Sequence, residues 1–124
     1  MVKHNKRLGE FGERQATKYY KKKRYKILTK NYYVKGGEID IIVQKGEYIV
    51  FVEVKTRSAS QFGNPAEAVT FYKRQRMIKA AKIYLQKHGE CYVRFDVVEV
   101  FVTATGEKFK MEKLNHIENA FEVN

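Results

Sequence analysis

Three charged residues near the middle of the chain, Asp40, Glu53 and Lys55, have the types and spacing of a hydrolytic metal site. Asp40 lies six positions before Gly46 and Glu53 seven positions after it, so a hairpin that turns at Gly46 places the two acids nearly opposite each other. Two carboxylates that close repel each other unless a positive charge lies between them. Hard divalent cations prefer such oxygen ligands, and a neighbouring lysine can orient a water molecule or neutralise a developing oxyanion.

An ordinary solvated hairpin face is the alternative interpretation, because most surface carboxylates have no further role. The face that carries Asp40 and Glu53 also carries Ile42 and Phe51, however, so it is not uniformly polar. Strands this apolar are typically covered on both sides, and burying an acid without a partner costs free energy. These observations favour a functional site.

Two strands around a tight turn must position these side chains. β-branched and aromatic residues dominate residues 38–44 and 48–55, and the segment Lys45-Gly46-Glu47 between them is typical of a turn. Because side chains alternate between the two faces of a strand, one face of this hairpin is expected to be wholly apolar. That face consists of Ile39, Ile41, Val43, Val50, Val52 and Val54.

The N-terminal part of the chain is predicted to form a helix over residues 8–23 and a strand over residues 25–33, after a frayed basic segment at residues 1–7. Small residues recur at helical spacing on the helix, which lets it lie close to a neighbour, and Glu13 is on or beside that face. Glu13 is either a surface glutamate paired with a nearby lysine or a third acid of the site. The spacing alone slightly favours the surface residue.

A second helix is predicted after the hairpin. Its expected N-cap is Asn64, with Pro65 as the first helical residue and Glu67 three positions after the cap, and it is expected to end at about His88. The remaining predictions are a strand over residues 92–103, a short strand over 108–111 and a turn of helix over 114–121.

Basic residues cluster in the first half of the second helix, at Lys73, Arg74, Arg76 and Lys79. They form either a solvated face or a phosphate-binding face beside the hairpin, and the net charge supports the two interpretations equally. Asp96, within an apolar run, is expected to be a buried hydrogen-bonding acid without a catalytic role.

The length of 124 residues, 44% of them hydrophobic, suits one domain, residues 1–124, with one core. The 25 Lys and Arg residues exceed the 14 Asp and Glu residues by 11, which makes nucleic acid the first candidate partner and an acidic membrane surface the second. The single cysteine, Cys91, excludes an internal disulfide and a cysteine-based zinc site. With no signal peptide and no apolar run of membrane-spanning length, we expect a cytoplasmic protein.

The pattern Asp40…Glu53-Val54-Lys55, in an order of helix, three strands, helix and strand, resembles the active-site signature of the PD-(D/E)XK nuclease superfamily. In that superfamily the acids bind magnesium and the lysine assists the attacking water. The proline of the signature is absent here, since Ile39 precedes Asp40. The resemblance implies an α/β fold, a restriction-endonuclease-like α/β/α sandwich with a mixed central sheet and core order αβββαβ. It also implies Mg²⁺ as cofactor, with Mn²⁺ as an alternative.

A closer resemblance, which covers nearly the entire chain, is to the YraN family of endonuclease-like proteins, itself similar to archaeal Holliday junction resolvases. The residues that carry it are Gly9, Gly12, Glu13, Ala16, Asn31, residues 37–42 (GEIDII), residues 52–57 (VEVKTR), Phe62, Gly63, Lys73 and residues 94–97 (RFDV). In the resolvases a glutamate of the first helix joins the metal site. Glu13 holds the matching place, so the resemblance implies that it is a metal ligand.

The first functional hypothesis is a magnesium-dependent endonuclease that cleaves DNA, and branched DNA in particular. The expected metal ligands are Asp40, Glu53, Glu13 and the backbone carbonyl of Val54. Lys55 is expected to position the attacking water. The expected phosphate-binding residues are Arg57, Lys73 and Arg76.

Two other hypotheses belong to different classes of protein. One is a nucleic-acid-binding accessory protein that keeps the nuclease fold without significant cleavage, since fold does not determine function. The other is a structural partner in a larger DNA-processing complex, which an exposed apolar patch near Phe121 would favour. The analogy with resolvases, which need two active sites for symmetric cuts, suggests a homodimer.

Overall fold

The computed structural model describes residues 2–63 and 69–123 of the chain. It consists of a five-stranded sheet with one helix on each face. The elements are α1 (Val2–Lys22), β1 (Lys26–Val34), β2 (Gly37–Lys45), β3 (Tyr48–Ser58), a 3-10 turn (Ala59–Gln61), α2 (Phe71–Leu85), β4 (Tyr92–Thr105) and β5 (Lys108–Phe121). Strand order in the sheet follows chain order. Among the strands that the structure describes, only β3 and β4 are parallel, and α2 lies in the crossover between them. The predicted α/β/α sandwich with a mixed sheet is confirmed.

Apolar side chains fill both faces of the sheet, as expected for central strands covered by helices. The α1 core comprises Ala16, Tyr20, Ile41, Val43, Val50, Val52, Val98, Val100 and Val102. The α2 core comprises Ile39, Ile42, Ile49, Phe51, Met77, Ala80, Ala81, Phe95 and Phe121. The middle of the hairpin is therefore buried on both sides, and the face predicted to carry the acids is partly apolar.

Ile39 lies on the opposite face from the one predicted. The other members of the predicted apolar face pack on the α1 side, whereas Ile39 packs with the α2 core. The regular alternation of β2 is therefore broken between Ile39 and Ile41, at Asp40. Opposite this point, Asn31 of β1 adopts a left-handed conformation with φ of 52°. The irregularity lies at a proposed site residue, where local rules of strand geometry often fail.

The predicted helix ends need correction. The first helix begins at Val2 rather than at residue 8. The predicted cap at residues 64–67 lies outside the described residues, but Thr70 is the N-cap of α2, and its side chain accepts a hydrogen bond from the amide of Lys73 at 3.1 Å. The helix α2 ends at Leu85 rather than at His88. The amides of the residues that follow, Gln86 to His88, donate to carbonyls three residues earlier, as in a 3-10 turn. Across the described residues, no helix is long and apolar enough to span a membrane.

The predicted helical turn at residues 114–121 is wrong, because β5 continues as a strand along β4 to Phe121. Register shifts interrupt this pairing near Glu112 and again between Ile117 and Phe121, and each shift displaces the alternation of the side chains. As a result, Leu114, Ile117 and Phe121 have spacings of three and four residues, which imitate the period of a helix.

Gly37, the first residue of β2, allows α2 to lie directly against the sheet. A Cβ atom at this position would lie 2.6 Å from the carbonyl oxygen of Arg76 and 3.0 Å from the amide nitrogen of Ala80. Both are backbone atoms, so the whole helix would have to move. This contact positions the part of α2 that carries Lys73 and Arg76.

We expect Gly37→Ala to lower the free energy of unfolding by about 2 kcal/mol, because an added methyl group in a close-packed contact forces backbone shifts. The measurement is urea denaturation. Gly89→Ala is the matched control, since a Cβ atom there meets nothing within 4 Å. Equal losses for the two variants would show that the close approach at Gly37 does not hold the helix in place.

Candidate functional site

A cavity of about 400 Å³ lies at the end of the hairpin where β2 and β3 separate. Regular pairing of the two strands extends from the turn to Ile41 and Val52, and the next residues along the strands are Asp40 and Glu53. Both strands and both helices contribute to the walls. The lining residues are Asn5, Leu8, Gly9, Glu13, Glu38, Asp40, Glu53, Val54, Thr56 and Lys73.

Asp40 is held in place by the backbone of the neighbouring strand. Its Oδ2 accepts a hydrogen bond from the amide of Val54 at 2.8 Å. In a regular antiparallel ladder the Val54 amide would donate its hydrogen bond to a backbone carbonyl of β2. Here it donates to the side-chain carboxylate of Asp40 instead. The interaction orders the carboxylate and keeps β2 and β3 apart at the cavity.

The surroundings of Glu53 favour the protonated form of its carboxyl group. The Glu53 side chain is only 12% exposed. Burial raises the pKa of Glu53 to about 8, together with the negative charge of Asp40 and a hydrogen bond with Asp40. The positive charge of Lys73 opposes this rise. The pair behaves as two carboxyl groups that are too close for both to ionise freely. Such a pair accepts a cation readily once the proton is lost.

Lys73 of α2 lies between two of the acids. Its Nζ is 3.0 Å from Oε1 of Glu38 and 3.4 Å from Oε1 of Glu53, and Nε of Arg76 lies 3.7 Å from the same oxygen of Glu38. Burial by itself would lower the pKa of Lys73, but Glu53, Glu38 and Asp40 raise it, so the amine is protonated. The lysine therefore supplies the positive charge that the carboxylates require.

Sequence analysis left Glu38 out of the site and assigned Lys73 to a phosphate-binding face. Glu38 is two residues before Asp40, so regular alternation would have placed both on one face; in the structure the alternation is broken at Asp40, and Glu38 joins the cluster through Lys73. Nothing in the local sequence indicates that Lys73 reaches these acids, because the contact depends on how α2 docks on the sheet.

Glu13 enters the cavity from α1. Burial and the negative charge of Asp40 raise the pKa of Glu13, while a hydrogen bond with Asn31 and the charge of Lys30 oppose the rise. The approach of α1 depends on Gly12, where a Cβ atom would collide with the hydroxyl of Thr56. Glu13 is thus near Asp40, as the resemblance implied, and its role as a metal ligand stays a prediction.

Lys55 and Arg57 lie further along β3, outside the set of described residues that line the cavity. Lys55 is half-buried and is in register with Glu99 of β4. The side chain of Arg57 is 10% exposed, and its Nε lies 3.3 Å from Oε2 of the buried Glu99. The predicted roles of these two residues, in positioning water and binding phosphate, stay predictions.

The donor set of the cavity fits Mg²⁺ better than a cation that needs a full protein cage. Within residues 2–63 and 69–123, no three His, Cys, Asp or Glu side chains are grouped closely enough to hold a metal ion. Mg²⁺, however, usually keeps several waters and binds through one or two carboxylates together with substrate phosphates. The Asp40–Glu53 pair meets that requirement.

A second polar cluster surrounds Asp96 and has a structural role, as expected. The Asp96 carboxylate is fully buried and accepts hydrogen bonds from Tyr20, Arg94, His116 and the amide of Asn119. Burial would raise the pKa of Asp96, but the hydrogen bonds from His116, Arg94 and Asn119 and the positive charge of Arg94 lower it to about 2. The ionised acid ties α1, β4 and β5 together.

The fold and the cavity together define an α/β protein whose mixed sheet, covered by a helix on each face, is compatible with the restriction-endonuclease-like sandwich. A sequence model of the Uncharacterised protein family UPF0102 matches residues 12–100. The chain belongs to this family, which is the YraN family.

Similar proteins cover the whole chain. A UPF0102 protein from Caldanaerobacter subterraneus is 48% identical over 98% of this chain and 100% of its own length. Relatives from Clostridium perfringens and Geobacter metallireducens are 46% and 45% identical, each over 99% of this chain and over 100% and 98% of their own lengths. These names give the family and assign no activity.

Proposed function

We propose that this protein is a metal-dependent endonuclease that hydrolyses phosphodiester bonds of DNA, with branched DNA as the expected substrate. The observation that carries the proposal is the partly buried carboxylate pair of Asp40 and Glu53 beside a protonated lysine in an accessible cavity. A structural ion pair does not need two acids that compete for one proton, whereas a metal site benefits from them.

Asp40 and Glu53 would hold Mg²⁺ or Mn²⁺, with the Val54 carbonyl as a further ligand. The Glu13 carboxylate is not grouped closely enough with both acids to share the ion and would have to move towards Asp40 to become a ligand. When bound, the ion would polarise a phosphoryl oxygen and lower the pKa of an attacking water. The Val54 amide keeps the Asp40 carboxylate aimed at the cavity. Lys55 remains the residue assigned to orienting the water.

The chain carries a net charge of +11, which favours association with a polyanion through release of counterions. Lys73 and Arg76, which now pair with Glu38 and Glu53, would exchange these partners for DNA phosphates. Arg57 would bind phosphate only by leaving Glu99. Two copies of the chain would supply the two sites that a symmetric junction requires.

A DNA-binding accessory protein without cleavage is the second candidate function. The observation that favours it is the position of Lys73, whose ammonium group already contacts Glu38 and Glu53 without a metal. In that case the acids would stabilise the docking of α2, and DNA binding would depend on the basic surface alone.

A cleavage panel separates the two candidates. Labelled four-way junction, flap, duplex and single-stranded DNA are incubated with the purified protein and Mg²⁺ or Mn²⁺, and with chelator as control. We expect metal-dependent cleavage of at least one branched substrate. Binding without cleavage of any substrate would support the accessory protein and contradict the nuclease proposal.

A further inference from the structure

The ammonium group of Lys73 occupies the place at Glu53 where a second positive charge would bind. Its Nζ lies 3.4 Å from Oε1 of Glu53, and it lines the same cavity as the Asp40–Glu53 pair. Only 22% of the Lys73 side chain and 12% of the Glu53 side chain are exposed, so solvent screens this contact incompletely. A cation bound by Glu53 would therefore have to share the carboxylate with a protonated amine.

Lys73 has a second partner that can hold it when Glu53 binds another cation. Its Nζ is closer to Oε1 of Glu38, at 3.0 Å, than to the carboxylate of Glu53. Nε of Arg76 lies 3.7 Å from the same oxygen of Glu38. Once Glu53 is taken, Lys73 and Arg76 would both depend on Glu38, and their combined charge exceeds that of one carboxylate. This surplus favours an anion, and the anion that the proposed function brings to the cavity is a DNA phosphate.

We propose that Lys73 competes with the divalent cation for Glu53, and that a DNA phosphate relieves the competition by drawing the lysine away. The inference rests on the proposed function and adds regulation to it, because metal binding becomes dependent on DNA. Without DNA, Lys73 holds Glu53 and the cation binds weakly. With DNA, the ammonium group exchanges the carboxylate for a phosphate, and the Asp40–Glu53 pair becomes available. By linkage, the cation must strengthen DNA binding by the same factor.

The first test measures Mn²⁺ binding without DNA. Electron paramagnetic resonance reports free Mn²⁺ during titrations of the wild type, Lys73→Met, Lys73→Gln and Lys73→Arg at pH 8. The methionine and glutamine variants keep most of the side-chain length and lose the charge. We expect each to bind Mn²⁺ about tenfold more tightly than the wild type, because a like charge beside the site is removed. Lys73→Arg keeps the charge and should bind like the wild type.

Lys82→Met is the matched control. Lys82 is an exposed lysine of the same helix, but it lines a different cavity, together with Phe71 and Ile78. The control changes the net charge by the same amount and should alter Mn²⁺ affinity less than twofold. Circular dichroism checks folding, and two neutral variants are made so that either one can decide. Unchanged affinity in the neutral variants, or equally tighter binding by Lys73→Arg or Lys82→Met, would overturn the competition.

The second test measures the coupling to DNA. Fluorescence anisotropy follows the binding of a labelled continuous duplex at constant ionic strength, in chelator and in Mn²⁺, for the wild type, Lys73→Met and Lys82→Met. We expect Mn²⁺ to strengthen duplex binding by the wild type and Lys82→Met about tenfold more than binding by Lys73→Met, because the lysine carries the coupling. Equal strengthening in all three proteins would refute the coupling.

These measurements separate the inference from the proposed function, since neither depends on cleavage. If the wild type binds Mn²⁺ and the neutral Lys73 variants bind it no more tightly, only the competition by Lys73 is refuted. If none of the proteins binds Mn²⁺, the metal site of the proposed nuclease is refuted as well.

Discussion

Asp40→Asn should lower the rate of DNA cleavage by about 10²–10³-fold while DNA affinity changes less than threefold. A bound metal supplies several kcal/mol of transition-state stabilisation, and each 1.36 kcal/mol corresponds to a tenfold change in rate. Asparagine keeps an oxygen that can accept the hydrogen bond from the Val54 amide, so the hairpin should remain intact. Under the proposed function, affinity for DNA would depend mainly on the basic surface, which the substitution does not touch.

Single-turnover cleavage and anisotropy on the same preparations provide the measurement. Glu47→Gln is the control, because Glu47 is an exposed acid in the turn of the same hairpin, at the end away from the cavity. Its rate should equal that of the wild type. If Asp40→Asn cleaves as fast as Glu47→Gln, the activity comes from a contaminant or from another site.

Glu53→Gln should make the metal-free protein more stable than the wild type by about 2 kcal/mol at pH 8. Burial beside Asp40 in the folded state raises the pKa of Glu53 to about 8 from its ordinary value of 4.5. Between pH 4.5 and pH 8 the folded chain holds a proton that the unfolded chain releases. The contribution of the protonated Glu53 to the free energy of unfolding is therefore fully present below pH 4.5 and is lost progressively as the pH rises to 8. Glutamine does not titrate and avoids the loss.

Urea denaturation in chelator at pH 5, 6.5 and 8 measures the difference between the two proteins. The advantage of Glu53→Gln should be smallest at pH 5 and should grow at each step. Glu47→Gln should follow the wild type at all three values. An advantage that is absent, or that does not change with pH, would mean that the two acids do not compete for a proton.

The hairpin and its acids could be predicted from sequence because local rules determine them. Gly46 takes the left-handed conformation that the turn needs, with φ of 59°, and this turn sets the register that brings Asp40 and Glu53 to neighbouring positions. Alternation then assigned Ile42 and Phe51 to one face, where they are indeed paired.

Features that depend on tertiary contacts could not be predicted in the same way. Lys73 reaches the acids only because Gly37 allows α2 to lie against β2, a contact between segments more than thirty residues apart in the chain. The face of Ile39 in β2 was misassigned, and residues 114–121 of β5 were predicted to form a helical turn. Irregular strand geometry near Asp40 and Glu112 shifts the side-chain alternation without a clear sequence signal.

Binding of a divalent cation by the Asp40–Glu53 pair is the central claim, and thermal melting of the wild type and Asp40→Asn tests it without any substrate. Each protein is melted at pH 8 in chelator and in millimolar Mn²⁺, with Glu47→Gln as control. A ligand that binds only the folded state adds about 2.7 kcal/mol of stability at a hundredfold excess over its Kd, so the Tm of the wild type and of Glu47→Gln should rise by several degrees. Asp40→Asn should lose most of that rise and should be at least as stable as the wild type in chelator. Equal responses to Mn²⁺ in all three proteins, together with a clearly lower Tm for Asp40→Asn in chelator, would show that the paired acids serve the fold and not a metal.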